Sequence, residues 1–201
     1  CLAPEAAVAH GLRLAEEGAC ILDLGAESTR PGGGVYGEGS RALGVAEELD
    51  RLMPVLEPLR QRLGDAWISV DTRKGAVARA ALAAGADMIN DVGGLGDEEL
   101  IAAVAEAGCP VVVMHSRGEL ATMQKNIRYD DVLAEVSAEL AERIERGRRG
   151  GIRDEQFVVD PGIGFGKRQR DNLALVAHLD RLAELGRPIP IIAKIERPEA
   201  F

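Results

Sequence analysis

Three polar residues stand where chemistry can be gathered. Asp71, Asn90 and Asp160 each close or nearly close a short apolar run, in WISVD, DMIND and QFVVD. A carboxylate accepts two hydrogen bonds side by side, and a carboxamide offers one donor and one acceptor. Two carboxylates and an amide around one pocket suit the edge of a flat heterocycle with adjacent N–H groups and a carbonyl. The competing reading is local, because Asp and Asn at a strand end commonly cap the helix that follows.

Two Gly-rich loops add further candidates. ILDLGAESTRPGGG, residues 21 to 34, runs from an apolar strand into Glu27, Ser28, Thr29, Arg30, Pro31 and three glycines. Arg30 has the planar fork that grips a phosphate bidentately; the plain alternative is a solvated surface loop. DPGIGFGK, residues 160 to 167, lets the backbone approach a ligand, and Phe165 offers a ring for stacking. Its GFGK lacks the spacing and the Ser or Thr of a phosphate-binding P-loop. His115 ends VVVMH beside Met114, and a catalytic and a structural role stand open for it. His10 and His178 fall in helical stretches and read as surface or packing residues.

These residues need a scaffold that brings strand ends together. Short apolar runs recur at 20–24, 67–71, 87–91, 110–115, 156–160 and 190–194, each entering a polar cluster. Continuous apolar runs fit parallel strands covered on both faces. Amphipathic stretches lie between them. Pro54 is expected to kink or split the long one at 40–64, and the stretch 171–186 reads as one helix. Gly18, Gly85, Gly108 and Gly186 are placed to close helices. Such alternation means an α/β fold. Glu27, Asp71, Asn90, Asp91, His115, Asp160 and Lys194 all fall near the C-terminal ends of strands. A barrel gathers those ends around one mouth, whereas an open sheet strings them out. The fold predicted is a TIM-type (β/α)8 barrel with six of its eight β/α units visible.

Composition narrows the partners. The chain has 201 residues, 46% hydrophobic but only 3% aromatic, and a net charge of −9. That is enough for one domain with a real core. The acidic balance argues against nucleic acid and anionic membranes, and leaves room for a small anionic substrate held by local cations. Cys1, Cys20 and Cys109 show no metal spacing. Cys20 and Cys109 read as small core residues, and a reduced, cytoplasmic setting follows. No membrane span and no signal peptide are expected.

Read together, LDLGAESTRPGG, ISVDTRKGAVARAALAAGADMINDVGGL, VVVMHSRGELATMQKNIRYDDV and VVDPGIGFGK resemble the successive strand-end motifs of dihydropteroate synthase, in that family's order, from about residue 3 to about residue 190. The resemblance implies a (β/α)8 barrel that joins 6-hydroxymethyl-7,8-dihydropterin diphosphate to p-aminobenzoate, giving 7,8-dihydropteroate and pyrophosphate in folate biosynthesis, with Mg2+. It implies that Asp71, Asn90 and Asp160 hold the pterin edge. Met114 and Phe165 would wall the two substrates. Thr29 and Pro31 would lie beside p-aminobenzoate, and Arg30 beside the pyrophosphate. Lys194 stands in for a pterin-contacting lysine and Arg197 for a neighbouring arginine. It also implies a sulfonamide target and a homodimer. Asp71, Asp160 and Lys194 are the expected catalytic set, and no side chain is expected to ligate metal directly.

The sequence departs from that family in three places. The opening NxTPDSF strand and loop and the final Arg-x-His strand are absent, and PIIAKIERPEAF stands where Ser-Arg-Lys is expected. Residues 1–201 are therefore expected to form a single pterin-binding barrel domain, incomplete at both ends. Two alternatives stay open: a catalytically weak pterin-binding barrel, and a pterin-dependent methyltransferase. The aminobenzoate-type loop ESTRPGG favours the synthase.

Overall fold

The computed structural model describes residues 3–27, 42–118, 123–124, 126–183 and 185. Within them, strands and helices alternate: α1 (Pro4–Glu16), β1 (Ile21–Gly25), α2 (Val45–Arg62), β2 (Trp67–Asp71), α3 (Gly75–Ala83), β3 (Met88–Asp91), α4 (Glu98–Ala107), β4 (Val111–Met114), α5 (Val132–Arg149), β5 (Phe157–Asp160), α6 (Gln169–Ala177) and α7 (Leu179–Ala183). The sixth apolar run, 190–194, lies outside the described residues.

The five strands are parallel and ordered β1-β2-β3-β4-β5. Strand order equals chain order, so the sheet never reverses as a doubly wound sheet does. Right-handed crossovers then put every helix on one face. The core follows that rule. Leu22, Ile68, Val70, Ile89, Val111, Val113, Phe157 and Val159 pack with Leu56 and Leu59 of α2, Ala78 and Ala81 of α3, Leu100 and Val104 of α4, and Leu140 and Ile144 of α5. This is the winding of a TIM-type barrel, and the described strands form an open arc of it.

Alternate residues turn to the other, inner face. By register these are Asp23, Ser69 and Met88, then Gly25, Asp71, Asn90 and Val112, then Met114 and Asp160. The inner face is thus apolar and polar by turns, and its upper end carries the candidate site.

The helix layer has its own fasteners. Asp97 caps α4 by accepting from the amides of Glu99 at 2.8 Å and Leu100 at 3.3 Å, and its second oxygen accepts from the Gly75 amide at 2.9 Å. A Cβ on Gly75 would come within 2.5 Å of the Leu100 amide nitrogen, so only glycine lets α3 lie this close to α4. Gly108 ends α4 in the left-handed conformation at φ 67°.

Two expectations change and a third is narrowed. Of the two outcomes expected at Pro54, a split does not occur: α2 runs from Val45 to Arg62 with Pro54 and Pro58 inside it; burial of Leu52, Leu56 and Leu59 against the core holds it together across the missing amide bonds. The stretch 171–186 is two helices, α6 and α7, broken at His178. Cys109 is buried as expected, but Cys20 is exposed, because it lies just before β1 where the chain is still outside the core. The place of Gly186 lies outside the described residues; Gly18 and Gly85 take positive φ of 106° and 98°.

Candidate active site

Asp71 and Asn90 are register partners on neighbouring strands. Parallel partners point the same way, so the two side chains sit side by side, about 4.8 Å apart along the hydrogen-bonding direction. Asn90 is also the partner of Val112, two residues before Met114, and Met114 is the partner of Asp160. Asp71, Asn90, Met114 and Asp160 therefore share the inner face near the C-terminal ends of four successive strands.

The capping alternative fails for all three polar residues. Lys74, Asp97 and Arg168 occupy the N-cap positions of α3, α4 and α6. Asp160 does make one local bond, accepting from the Gly162 amide at 2.7 Å, and this turns the chain into its Gly-rich loop. Burial pushes the Asp160 carboxyl above the ordinary aspartate range, while the Gly162 amide and the positive charge of Lys167 work against that rise.

Asn90 is nearly buried and its Nδ2 donates to Asp23 Oδ2 at 3.1 Å. Asp23 lies on β1 and Asn90 on β3, so the bond passes over β2. Side chains of non-adjacent strands meet this way on a concave face. The bond also orients the amide: with Nδ2 turned to Asp23, the amide oxygen is left to face a ligand. Sequence reasoning missed Asp23. The signal was the alternation Ile21, Asp23, Gly25, which puts a charge on the same face as Asp71.

Met114 is 2% exposed and lies on the same inner face, as the register partner of Asp160. Phe165 is half-buried in the β5–α6 loop, where its amide donates to the Gly162 carbonyl at 3.0 Å.

Other strand-end residues turn away from the mouth. Asp91 is buried on the helix side and accepts from the Gly93 amide at 2.7 Å and the Leu95 amide at 2.6 Å, holding the β3–α4 turn. Burial pushes its carboxyl up to about 6. Glu27 is buried at the start of the first Gly-rich loop and accepts from Arg73 at 3.2 Å, from the Leu43 amide at 3.3 Å, and from Lys74. Lys74 also binds Glu48, whose other oxygen accepts from Thr72 Oγ1 at 2.7 Å. Lys74 thereby ties Glu27, just after β1, to Glu48 of α2.

His115 is fully buried and also faces the helices. Its Nε2 lies 3.0 Å from Glu139 Oε2 and its Nδ1 2.9 Å from Lys167 Nζ. The consistent tautomer carries its proton on Nε2 and accepts on Nδ1. Burial, then the nearby Lys167 charge, pushes the imidazole down to about 3, so it is neutral. Of its two open roles, the structural one is what these contacts express. Glu139 in turn receives Arg117, which lies 4.2 Å over the Tyr129 ring.

Thr29, Arg30, Pro31, Lys194 and Arg197 lie outside the described residues. Among the described residues, no group of three or more His, Cys, Asp or Glu could hold a metal ion.

The family description "Pterin binding enzyme" matches residues 2–195. The chain belongs to the pterin-binding enzyme family. It is 42% identical over 183 residues to the dihydropteroate synthase of Escherichia coli K12, covering 91% of this chain and 62% of that protein. Dihydropteroate synthase from Xanthomonas albilineans, solved with 4-aminobenzoic acid, superposes with a TM-score of 0.83 at 50% identity, covering 92% of this chain and 63% of that one. The same enzyme solved with 7,8-dihydropteroate gives a TM-score of 0.78 at 48% identity, covering 92% and 62%. The Yersinia pestis dihydropteroate synthase solved with a sulfonamide drug gives 0.84 at 39% identity, covering 90% and 63%. The chain therefore spans a little under two thirds of the length of these pterin-binding relatives. No helix among the described residues is long and apolar enough to cross a membrane.

Proposed function

We propose that this chain carries the pterin site of a dihydropteroate synthase, which joins 6-hydroxymethyl-7,8-dihydropterin diphosphate to 4-aminobenzoate in folate biosynthesis. The observation that carries the reading is the shared inner face of Asp71, Asn90 and Asp160, with Asn90 oriented by Asp23. Residues 1–201 act in this reading as one pterin-binding domain of a cytoplasmic protein.

Each side chain has a part in binding. The Asp71 and Asp160 carboxylates accept from the N–H groups along the pterin edge, and the Asn90 oxygen accepts a third. Met114 packs under the bicycle. Phe165, from the loop that Asp160 turns, closes over it. Low polarity around these carboxylates strengthens every such bond.

The reaction follows from the substrates. An aromatic amine is a weak nucleophile, so the bond between the pterin methylene and the diphosphate oxygen breaks first. The electron pair leaves with the pyrophosphate, and the methylene cation is delocalised into the pterin. The amine nitrogen then forms the new C–N bond and loses a proton. Asp71 and Asp160 stabilise the cationic ring electrostatically, and no protein nucleophile takes part. Thr29, Pro31 and Arg30 are proposed for the 4-aminobenzoate and pyrophosphate ends, and Lys194 and Arg197 for the pterin and the leaving group.

Mg2+ is proposed as the cofactor. The described residues do not supply a donor cluster for it, so no step here passes through the metal. A diphosphate is itself a good Mg2+ ligand, and entry with the substrate fits such a site. Homodimerisation is proposed as the assembly state, checked by light scattering.

The test is product formation. Purified protein given the pterin diphosphate and 4-aminobenzoate is expected to release pyrophosphate and 7,8-dihydropteroate in equal amounts, at a feeble rate for residues 1–201 alone. Pterin binding without pyrophosphate release, in the presence of 4-aminobenzoate and Mg2+, would replace the synthase by a pterin-binding protein.

A further inference from the structure

Lys167 is an ammonium that the sequence hides in a failed P-loop pattern. It is 3% exposed, yet among the described residues no carboxylate is bonded to it. Its Nζ instead reaches four neutral acceptors: His115 Nδ1 at 2.9 Å, the His115 carbonyl at 3.3 Å, the Gly162 carbonyl at 2.9 Å and the Phe165 carbonyl at 3.0 Å. Two of these belong to the end of β4 and two to the loop after β5. One cation therefore fastens two neighbouring strand ends.

The fastening is reinforced from behind. Arg143 of α5 donates to the carbonyls of Met114 and Ser116, the latter at 2.5 Å. Three consecutive carbonyls, 114 to 116, thus each receive a cationic side chain. Gly162 must be glycine here. Its φ is +64° and a Cβ would land on the His115 carbonyl oxygen. The contact between the β4 end and the β5–α6 loop is therefore backbone to backbone, with Lys167 at its centre.

We propose that Lys167, held by His115, is a positioning residue that sets the shape of the DPGIGFGK loop and so places Asp160 and Phe165 for the pterin. This rests on the pterin reading above. Lys167 touches no substrate in this role. It acts through the Gly162 and Phe165 carbonyls, and through its positive charge on Asp160.

The electrostatic surroundings give a second handle. Asp160 at the end of β5 draws the Lys167 proton on, as does Glu139 of α5. Arg143 of α5 and Arg117 of the β4–α5 loop push it off, and neutral His115 faces it from β4. Burial, with these cations, brings Lys167 down to about 7. The lysine charge also restrains the rise of the Asp160 carboxyl. Removing it lets Asp160 take up a proton at higher pH.

Two measurements test the inference on the whole protein. Hydrogen exchange of residues 160–168 reads loop order, and titration with 6-hydroxymethylpterin from pH 5 to 9 reads binding. Lys167→Met is expected to speed exchange in this loop at least tenfold, leave α1 and α2 unchanged, weaken pterin at least tenfold, and move the acid limb of pterin affinity to higher pH. Asp160→Asn is expected to weaken pterin with loop exchange unchanged. Should Lys167→Met fail to fold, His115→Asn keeps the ammonium and its three carbonyls, and a smaller change of the same kind, about threefold, is expected. Unchanged loop exchange in the folded variants, or pterin affinity within twofold of wild type with the acid limb unmoved, overturns the inference. If wild-type protein binds no pterin, the functional reading falls, and the exchange arm alone decides whether Lys167 orders the loop.

Discussion

Asn90 of β3 and Asp23 of β1 hydrogen-bond at 3.1 Å across the strand between them. The bond fixes which end of the Asn90 amide is free, and so what Asn90 can read. It also joins the exposed edge of the sheet to the middle of the site.

Asp23→Ala is the direct probe of that orientation. The side chain is largely exposed, so the fold should be little affected, within about 0.5 kcal/mol. Pterin affinity should fall roughly five- to tenfold, the loss of about 1 kcal/mol from one positioning hydrogen bond. Thermal denaturation and calorimetry on the same sample separate the two effects.

The neutral imidazole of His115 makes stability depend on pH. In the unfolded chain histidine takes up a proton below about 6.5, whereas in the fold burial and the Lys167 charge hold it neutral down to about 3. The unfolded state thus binds more protons as pH falls from about 6.5 towards 3, and stability is lost over that window. The slope from one such group is at most ~1.4 kcal/mol per pH unit. In His115→Gln, stability at pH 7 should be lower but its decline between pH 6.5 and 4 shallower. Urea melts at half-unit steps check this.

Gly162 should not tolerate a methyl group. Its positive φ alone costs an alanine about 1–2 kcal/mol, and the Cβ meets the His115 carbonyl. Gly162→Ala should therefore destabilise by more than ~2 kcal/mol. Gly64, which has open space around its Cβ position, is the control, and Gly64→Ala should stay near neutral by urea denaturation.

Lys74 bridges two carboxylates that are 6% and 1% exposed, Glu27 and Glu48. Lys74→Met leaves both charges without their shared cation. The expected loss is roughly 1–3 kcal/mol, below that of a fully buried pair because Glu27 keeps Arg73 and Lys74 is partly exposed. Adding Glu48→Gln to that variant should restore part of the loss, read by denaturant melts of the single and double variants.

Much of the scaffold was legible because parallel strands buried on both faces leave a plain signal. WISVD, DMIND and QFVVD became β2, β3 and β5 within a residue of their expected bounds. Asp71, Asn90 and Asp160 were legible as a set because period-2 alternation and chain-order pairing put strand ends in one row. Asp91 was misleading, and the role of His115 stayed open, for the same reason. Each sits one residue from an inward-facing position, and one residue is half a period. Lys167 was illegible, since its burial arises only when the β4 and β5 ends meet. Cys20 was assigned to the core by its apolar neighbours, although the sheet begins one residue later.

Calorimetric titration of 6-hydroxymethylpterin diphosphate into wild-type protein and into Asp71→Asn, Asn90→Ala and Asp160→Asn tests the central claim most directly. The account predicts binding by wild type and, in each folded variant, a loss of about 10- to 100-fold, the range for one hydrogen bond to a charged or buried partner. Wild-type affinity retained in all three variants would contradict it, because the pterin would then be read somewhere other than this face.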